Sequence, residues 1–118
     1  MKTGIKGYLA EALARILFRL KGYHIVAANY VTGRGTGAGE IDFIAAGHKV
    51  LVFVEVKERG SLDNAAYAIS SKQQRRIAKA AENFYLKNPR FQGYDIRFDA
   101  VLVSFPWHLR HIVNAWSL

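Results

Sequence analysis

Two runs with strand-like alternation stand close together in the chain: Gly39-Glu40-Ile41-Asp42-Phe43-Ile44, then residues 50–57 (VLVFVEVK). Between them Gly47-His48 suits a two-residue II′ hairpin turn, with glycine at the first central position. Side chains alternate along a strand, so Leu51, Phe53, Glu55 and Lys57 share one face of the second run, while Val50, Val52, Val54 and Val56 share the other. With that turn, Asp42 lies opposite Phe53 and Glu40 opposite Glu55, and all four charged groups project to one side. Asp42 is then diagonal to Glu55, about 7–8 Å away, which leaves room for an ion between two carboxylates. The second run is apolar on both faces, as expected of a central strand. Carboxylates on such a strand are costly unless they are paired or bound to a metal. A Glu55–Lys57 ion pair and a metal-binding cluster both meet that cost, and spacing alone does not choose between them.

The chain has 118 residues, enough for one domain with a single core. With 51% hydrophobic and 22% charged residues it is a folded globular chain and not a disordered one. No apolar run reaches the length of a membrane span. Glu11 and Arg15 break the apolar residues near the N-terminus, so no signal-peptide pattern is present. The absence of cysteine excludes disulfides and thiolate zinc sites, and the expected compartment is the cytoplasm. A net charge of +8 suggests a polyanionic partner, most simply nucleic acid.

Residues 5–21 read as a helix with one wide apolar stripe of Ile5, Leu9, Ala12, Leu13, Ile16, Leu17 and Leu20, stopped by Gly22. Arg15, Arg19 and Lys21 suit the C-terminal end of its dipole. Glu11 lies on the other face with Ala14 and Phe18. It is solvated, or salt-bridged to Arg15 one turn on, or part of a second face that covers the carboxylates. Residues 23–31 form a first strand. Residues 32–39 carry four glycines but no Gly-Lys-Ser/Thr, so they are not a phosphate-cradling loop. They are a flexible hairpin connection, or a basic flap that closes on a backbone through Arg34.

Residues 58–69 read as a loop, and Ser70 with Gln73, or Ser71 with Gln74, matches a capping box. A helix over residues 72–86 follows, with Ile77, Ala80, Ala81, Phe84 and Tyr85 as its buried stripe. Lys72, Arg75, Arg76 and Lys79 form a basic face at its start, where positive charge opposes the dipole. An anionic ligand explains that face better than helix stability does; an ordinary solvated face is the alternative. Asn88-Pro89 ends the helix. Residues 95–104 and 108–116 are strands, the last at an edge. The histidines have no zinc-motif spacing and are structural or surface groups. The order helix, three strands, helix, two strands predicts an α/β chain, a mixed sheet with packed helices and a right-handed parallel crossover between the third and fourth strands.

The Gly39-Glu40-Ile41-Asp42 piece and Phe53-Val54-Glu55-Val56-Lys57 with Arg59 resemble the YraN family of small bacterial proteins. Gly7, Glu11, Ala14 and Gly22-Tyr23, then Asn29, Ser70, Lys72, Ile77 and Ala81 extend the resemblance. Arg97-Phe98-Asp99 and His111-Ile112 with Asn114-Ala115 carry it nearly to the end of the chain. The pattern departs at Ala10, where glycine is frequent, and at Trp116, where phenylalanine is usual. The resemblance implies a restriction-endonuclease-like fold of the PD-(D/E)XK type, with Ile41 standing where that motif has proline.

Carried over, it makes Asp42 the metal-binding aspartate and Glu55 and Lys57 the acid and lysine of the E-x-K piece. Glu11 matches the helix glutamate that similar Holliday-junction resolvases use as a further ligand. The implied chemistry is phosphodiester hydrolysis with Mg²⁺ or Mn²⁺ held by Asp42, Glu55 and the Val56 carbonyl, with Glu11 as a further ligand and Glu40 in support. Arg34, Arg59, Lys72, Arg75 and Arg76 would contact the nucleic acid, DNA first, and by analogy two copies would act as a homodimer. A non-catalytic nucleic-acid-binding module of the same fold, and a structural protein with a buried ion network, are the other readings.

Overall fold

The computed structural model describes residues 4–31, 39–60, 69–106 and 108–116. Helix α1 (Ile5–Leu20) precedes strands β1 (His24–Tyr30), β2 (Ile41–Gly47) and β3 (Val50–Glu58). Helix α2 (Ser71–Lys87), a 3-10 turn at Pro89–Phe91, and strands β4 (Asp95–Ser104) and β5 (His108–Trp116) follow. The strands form one five-stranded sheet in chain order, with β3 in the middle as its two apolar faces require. Neighbours are antiparallel except β3 and β4, which run parallel with α2 between them in sequence. The expected α/β architecture and element order are those observed.

Each helix covers one face of the sheet. Ile77, Ala80, Ala81 and Phe84 of α2 pack with Ile44, Leu51, Phe53 and Phe98. Ala10, Ala14 and Phe18 of α1 pack with Phe43, Val52, Val54 and Val101. The α1 contact corrects the sequence expectation. Ile5, Leu9, Ile16 and Leu20 of the expected stripe point to solvent, and Ala10, Glu11, Ala14 and Phe18 are buried instead. Small side chains let the helix close on the sheet, and close packing outweighs the larger apolar area of the other face. Phe18 anchors the end, its ring 5.1 Å from Tyr23, 5.2 Å from Phe43 and 4.7 Å from the His111 ring. Gly22 stops the helix as expected. It has φ +94°, its N–H donates to Arg19 O, and the Tyr23 N–H donates to Phe18 O, which is the Schellman arrangement.

The β2–β3 turn is also displaced from expectation. Gly47 pairs with Val50, and the turn residues are His48 and Lys49, at φ 55° and 59°. Two positive φ values make a type I′ turn, whose twist matches the strands. Gly47 is needed for a different reason: a Cβ there would lie 3.0 Å from Gly22 O and 3.0 Å from the Tyr23 ring. The hairpin therefore slides while every side chain keeps its face. Ile44, not Asp42, lies opposite Phe53.

Asp99 ties the far edge together on the α1 side. It is fully buried and accepts both Nε and Nη2 of Arg97 at 2.8 Å, His111 Nε2 at 2.7 Å and the Asn114 N–H at 2.9 Å. Asn114 has φ 55° within a β5 irregularity, which frees its N–H from the ladder. Lys21 Nζ lies 2.7 Å from His111 Nδ1. An ammonium only donates, so Nδ1 accepts and Nε2 carries the proton toward Asp99. Burial pushes the Asp99 carboxyl up, but the bonds from His111, Arg97 and Asn114 and the Arg97 charge outweigh it and hold the group below its ordinary value. His111 is structural, as the sequence suggested.

Candidate active site

The site forms where the β2–β3 hairpin meets the first turns of α2. One step past the Phe43–Val54 pair, the strand register brings Asp42 beside Glu55. Both carboxylates face α2, and each is only 4% exposed. The Val56 N–H donates to Asp42 Oδ2 at 2.7 Å, so the backbone of one strand holds the acid of the other. Gln73 Nε2 donates to Glu55 Oε2 at 2.6 Å. Asp42, Glu55, Lys57 and Glu40 line one cleft of about 300 Å³, closed on the α2 side by Gln73, Arg76 and Ile77.

Gly39 sets the width of this cleft. Its N–H donates to Arg76 O at 3.0 Å, and a Cβ there would meet Arg76 Cβ at 3.0 Å. Arg76 is thereby fixed beside the acids. It also lines a second hollow of about 230 Å³ with Lys72, Arg75 and Lys79. The basic face of α2 thus adjoins the acidic cleft through one shared residue, Arg76.

The sequence marks Gln73 only as a capping residue. Ser70 Oγ does accept the Gln73 N–H at 3.1 Å, which selects Ser70 over Ser71 as the cap. The Gln73 side chain, however, reaches Glu55 and does not complete the box. No sequence pattern separates these two uses of one glutamine.

Glu11 lies at the margin. It is buried on the sheet-facing side of α1, not solvated. With its amide nitrogen turned toward them, Asn29 donates to Glu11 Oε1 at 3.2 Å and to Glu40 Oε1 at 3.3 Å. Asn29 sits between the Ala28–Phe43 and Tyr30–Ile41 pairs at φ 51°, a left-handed conformation that asparagine tolerates. Glu11 therefore connects to the cleft through Asn29 and Glu40 and is not part of its lining. Arg59 stands beyond the end of β3, with its N–H on Val103 O and its Nη1 on Glu58 O, outside the cleft lining. Lys72 and Arg75 belong to the basic hollow. Arg34 lies outside the described residues.

Among the described residues no three acidic or histidine side chains converge into a ready-made metal cage. The donor set at the cleft nevertheless suits one ion type. Asp42 and Glu55 offer hard carboxylate oxygens from adjoining strands, with the Val56 backbone next to both. Mg²⁺ uses one or two carboxylates and keeps several waters. The bonds from Val56 and Gln73 bring neutral donors to the two acids. Buried carboxylates gathered in a cleft mark a candidate functional site.

A model of the uncharacterised protein family UPF0102 matches residues 10–103. A UPF0102 protein of Paramagnetospirillum magneticum is 45% identical over 114 residues, covering 96% of this chain and 88% of the relative. One from Bradyrhizobium is 43% identical over 111 residues, covering 94% and 79%. One from Parvibaculum lavamentivorans is 44% identical over 118 residues, covering 97% and 86%.

Proposed function

The chain belongs to the UPF0102, or YraN, family, and from that premise we propose that it is a metal-dependent nuclease that hydrolyses phosphodiester bonds of DNA, branched or damaged DNA in particular. The observation that carries this reading is the placing of two nearly buried carboxylates, Asp42 and Glu55, in one cleft with Lys57 and Arg76.

Asp42, Glu55 and the Val56 carbonyl would hold Mg²⁺ or Mn²⁺. An ion held there would supply Lewis-acid polarisation of the scissile phosphate and a more acidic water at neutral pH. The Val56 N–H and the Gln73 amide keep the two acids oriented, so little reorganisation is left for the reaction itself. Lys57 orients the attacking water or takes its proton, and its charge offsets the negative charge that grows on the phosphoryl oxygens. Arg76 steadies the scissile region, while Lys72 and Arg75 grip flanking phosphates, giving affinity without sequence choice. Glu40 and Glu11, joined through Asn29, tune the charge at the rim.

The test is cleavage of linear, flapped and four-way DNA with Mg²⁺ or Mn²⁺. Wild-type protein is expected to cut at least one substrate, and Asp42→Asn and Glu55→Gln to lower the rate by at least about 100-fold, or about 2.7 kcal/mol of barrier. Binding without cleavage by the wild type across the whole panel would overturn the catalytic reading and leave a binding module on the same fold.

A further inference from the structure

Helix α1 carries two apolar faces, and among the described residues only one is packed against the sheet. On the outer face Ile5 is 78% exposed, Tyr8 69% and Leu20 81%, with Leu9 and Ile16 close to half exposed. Single exposed hydrophobic residues are ordinary, but a contiguous row along one helix marks an interaction surface. Ile5, Leu9, Ala12 and Ile16 follow at intervals of four, three and four, the spacing of a seam between two packed helices, and Leu20 continues it.

This seam matches itself when reversed. About a midpoint between Ala12 and Leu13, Ile5 corresponds to Leu20, Leu9 to Ile16, and Ala12 to Leu13. That is the condition for an isologous contact, in which residue i of one copy meets j of the other and j meets i. We propose that a second copy of this chain covers the outer face of α1, the two helices crossing antiparallel with Ala12 at their closest approach.

The borders of the seam agree with that occupant. At about 100° per residue, Tyr8, Arg15 and Arg19 lie along one border and Lys6 along the other. Antiparallel packing sets each border against its own reverse. Tyr8 of one copy then falls between Arg15 and Arg19 of the other, an aromatic ring beside two guanidinium groups. The apolar stem of Lys6 meets Leu20. Antiparallel helix dipoles also attract where parallel ones repel.

The chain has no cysteine, which makes the geometry open to cross-linking. A single helix pair is a small interface, so sedimentation velocity is run over about 10–200 μM chain without nucleic acid. Wild-type protein is expected to approach the two-chain mass, and Leu9→Arg and Ile16→Asp to remain at the one-chain mass with unchanged circular dichroism. In oxidising buffer, a mixture of Leu9→Cys and Ile16→Cys chains should form a disulfide-linked dimer that neither chain forms alone. A wild type that stays at one-chain mass throughout overturns the proposal, and cross-linking of Leu9→Cys with itself overturns the antiparallel arrangement. A monomer that co-sediments with phosphatidylglycerol vesicles, and loses this with Ile16→Asp, assigns the face to a lipid surface instead. Association is measured without substrate, so its failure leaves the cleft reading standing, and failure of cleavage leaves this one standing.

Discussion

Asp42 and Asp99 are both buried in the sheet, on opposite faces, and are held by different means. Arg97 and His111 surround Asp99 with charge-assisted bonds, while the backbone of Val56 supports Asp42. Removing one member of a buried pair costs about 3–5 kcal/mol, so Asp99→Asn should lower unfolding stability by an amount on that order at pH 7. The Asp99 carboxyl is held below its ordinary value when folded, so its contribution is whole above the unfolded value of about 3.9 and is lost as pH falls through the lower, folded value. Urea unfolding of wild type and Asp99→Asn from pH 7 to pH 2 should therefore show the gap between them shrinking at the acid end. A constant gap would contradict the pairing. Asp42, Glu55 and Lys57 were legible in the sequence because alternation alone puts them on one face. Gln73 and Asn29 were not, since neutral amides that act by orienting a neighbour leave no periodic or charge signal.

At the level of elements, strand identity does not depend on the position of the turn. Moving the turn from Gly47-His48 to His48-Lys49 slides the hairpin without flipping it, so the acids stayed on the α2 side and came closer together. A hydropathy pattern points to the other face of α1 because it lets side-chain size stand for burial, whereas Ala10 and Ala14 are buried because they are small. Gly39 is the element-level counterpart at the site: it lets the start of β2 rest against α2. Gly39→Ala should force the loop off Arg76, at a cost of about 1–3 kcal/mol, and reduce cleavage. Gly60→Ala, where a Cβ meets nothing within 4 Å, should change neither property. Chemical denaturation and the cleavage assay, run on both variants, check this.

For the whole molecule, net charge pointed to a polyanion before any residue was placed, and the structure gathers Lys72, Arg75, Arg76 and Lys79 next to the acidic cleft. If Lys72 and Arg75 each neutralise one phosphate, replacing both by alanine should reduce the salt dependence of duplex binding by about 1.8 in slope of log K against log salt. Fluorescence anisotropy over a salt series reads that slope, and an unchanged slope would place the DNA elsewhere. Topology was legible because each element has its own period and only one short-range arrangement connects them; Arg34 lies outside the described residues. The two helices lie on opposite faces of the sheet, and the cleft opens beneath α2. Copies joined back to back through α1 would turn their clefts outward. Such a pair would bridge two separate duplex arms and would not close on both strands of one.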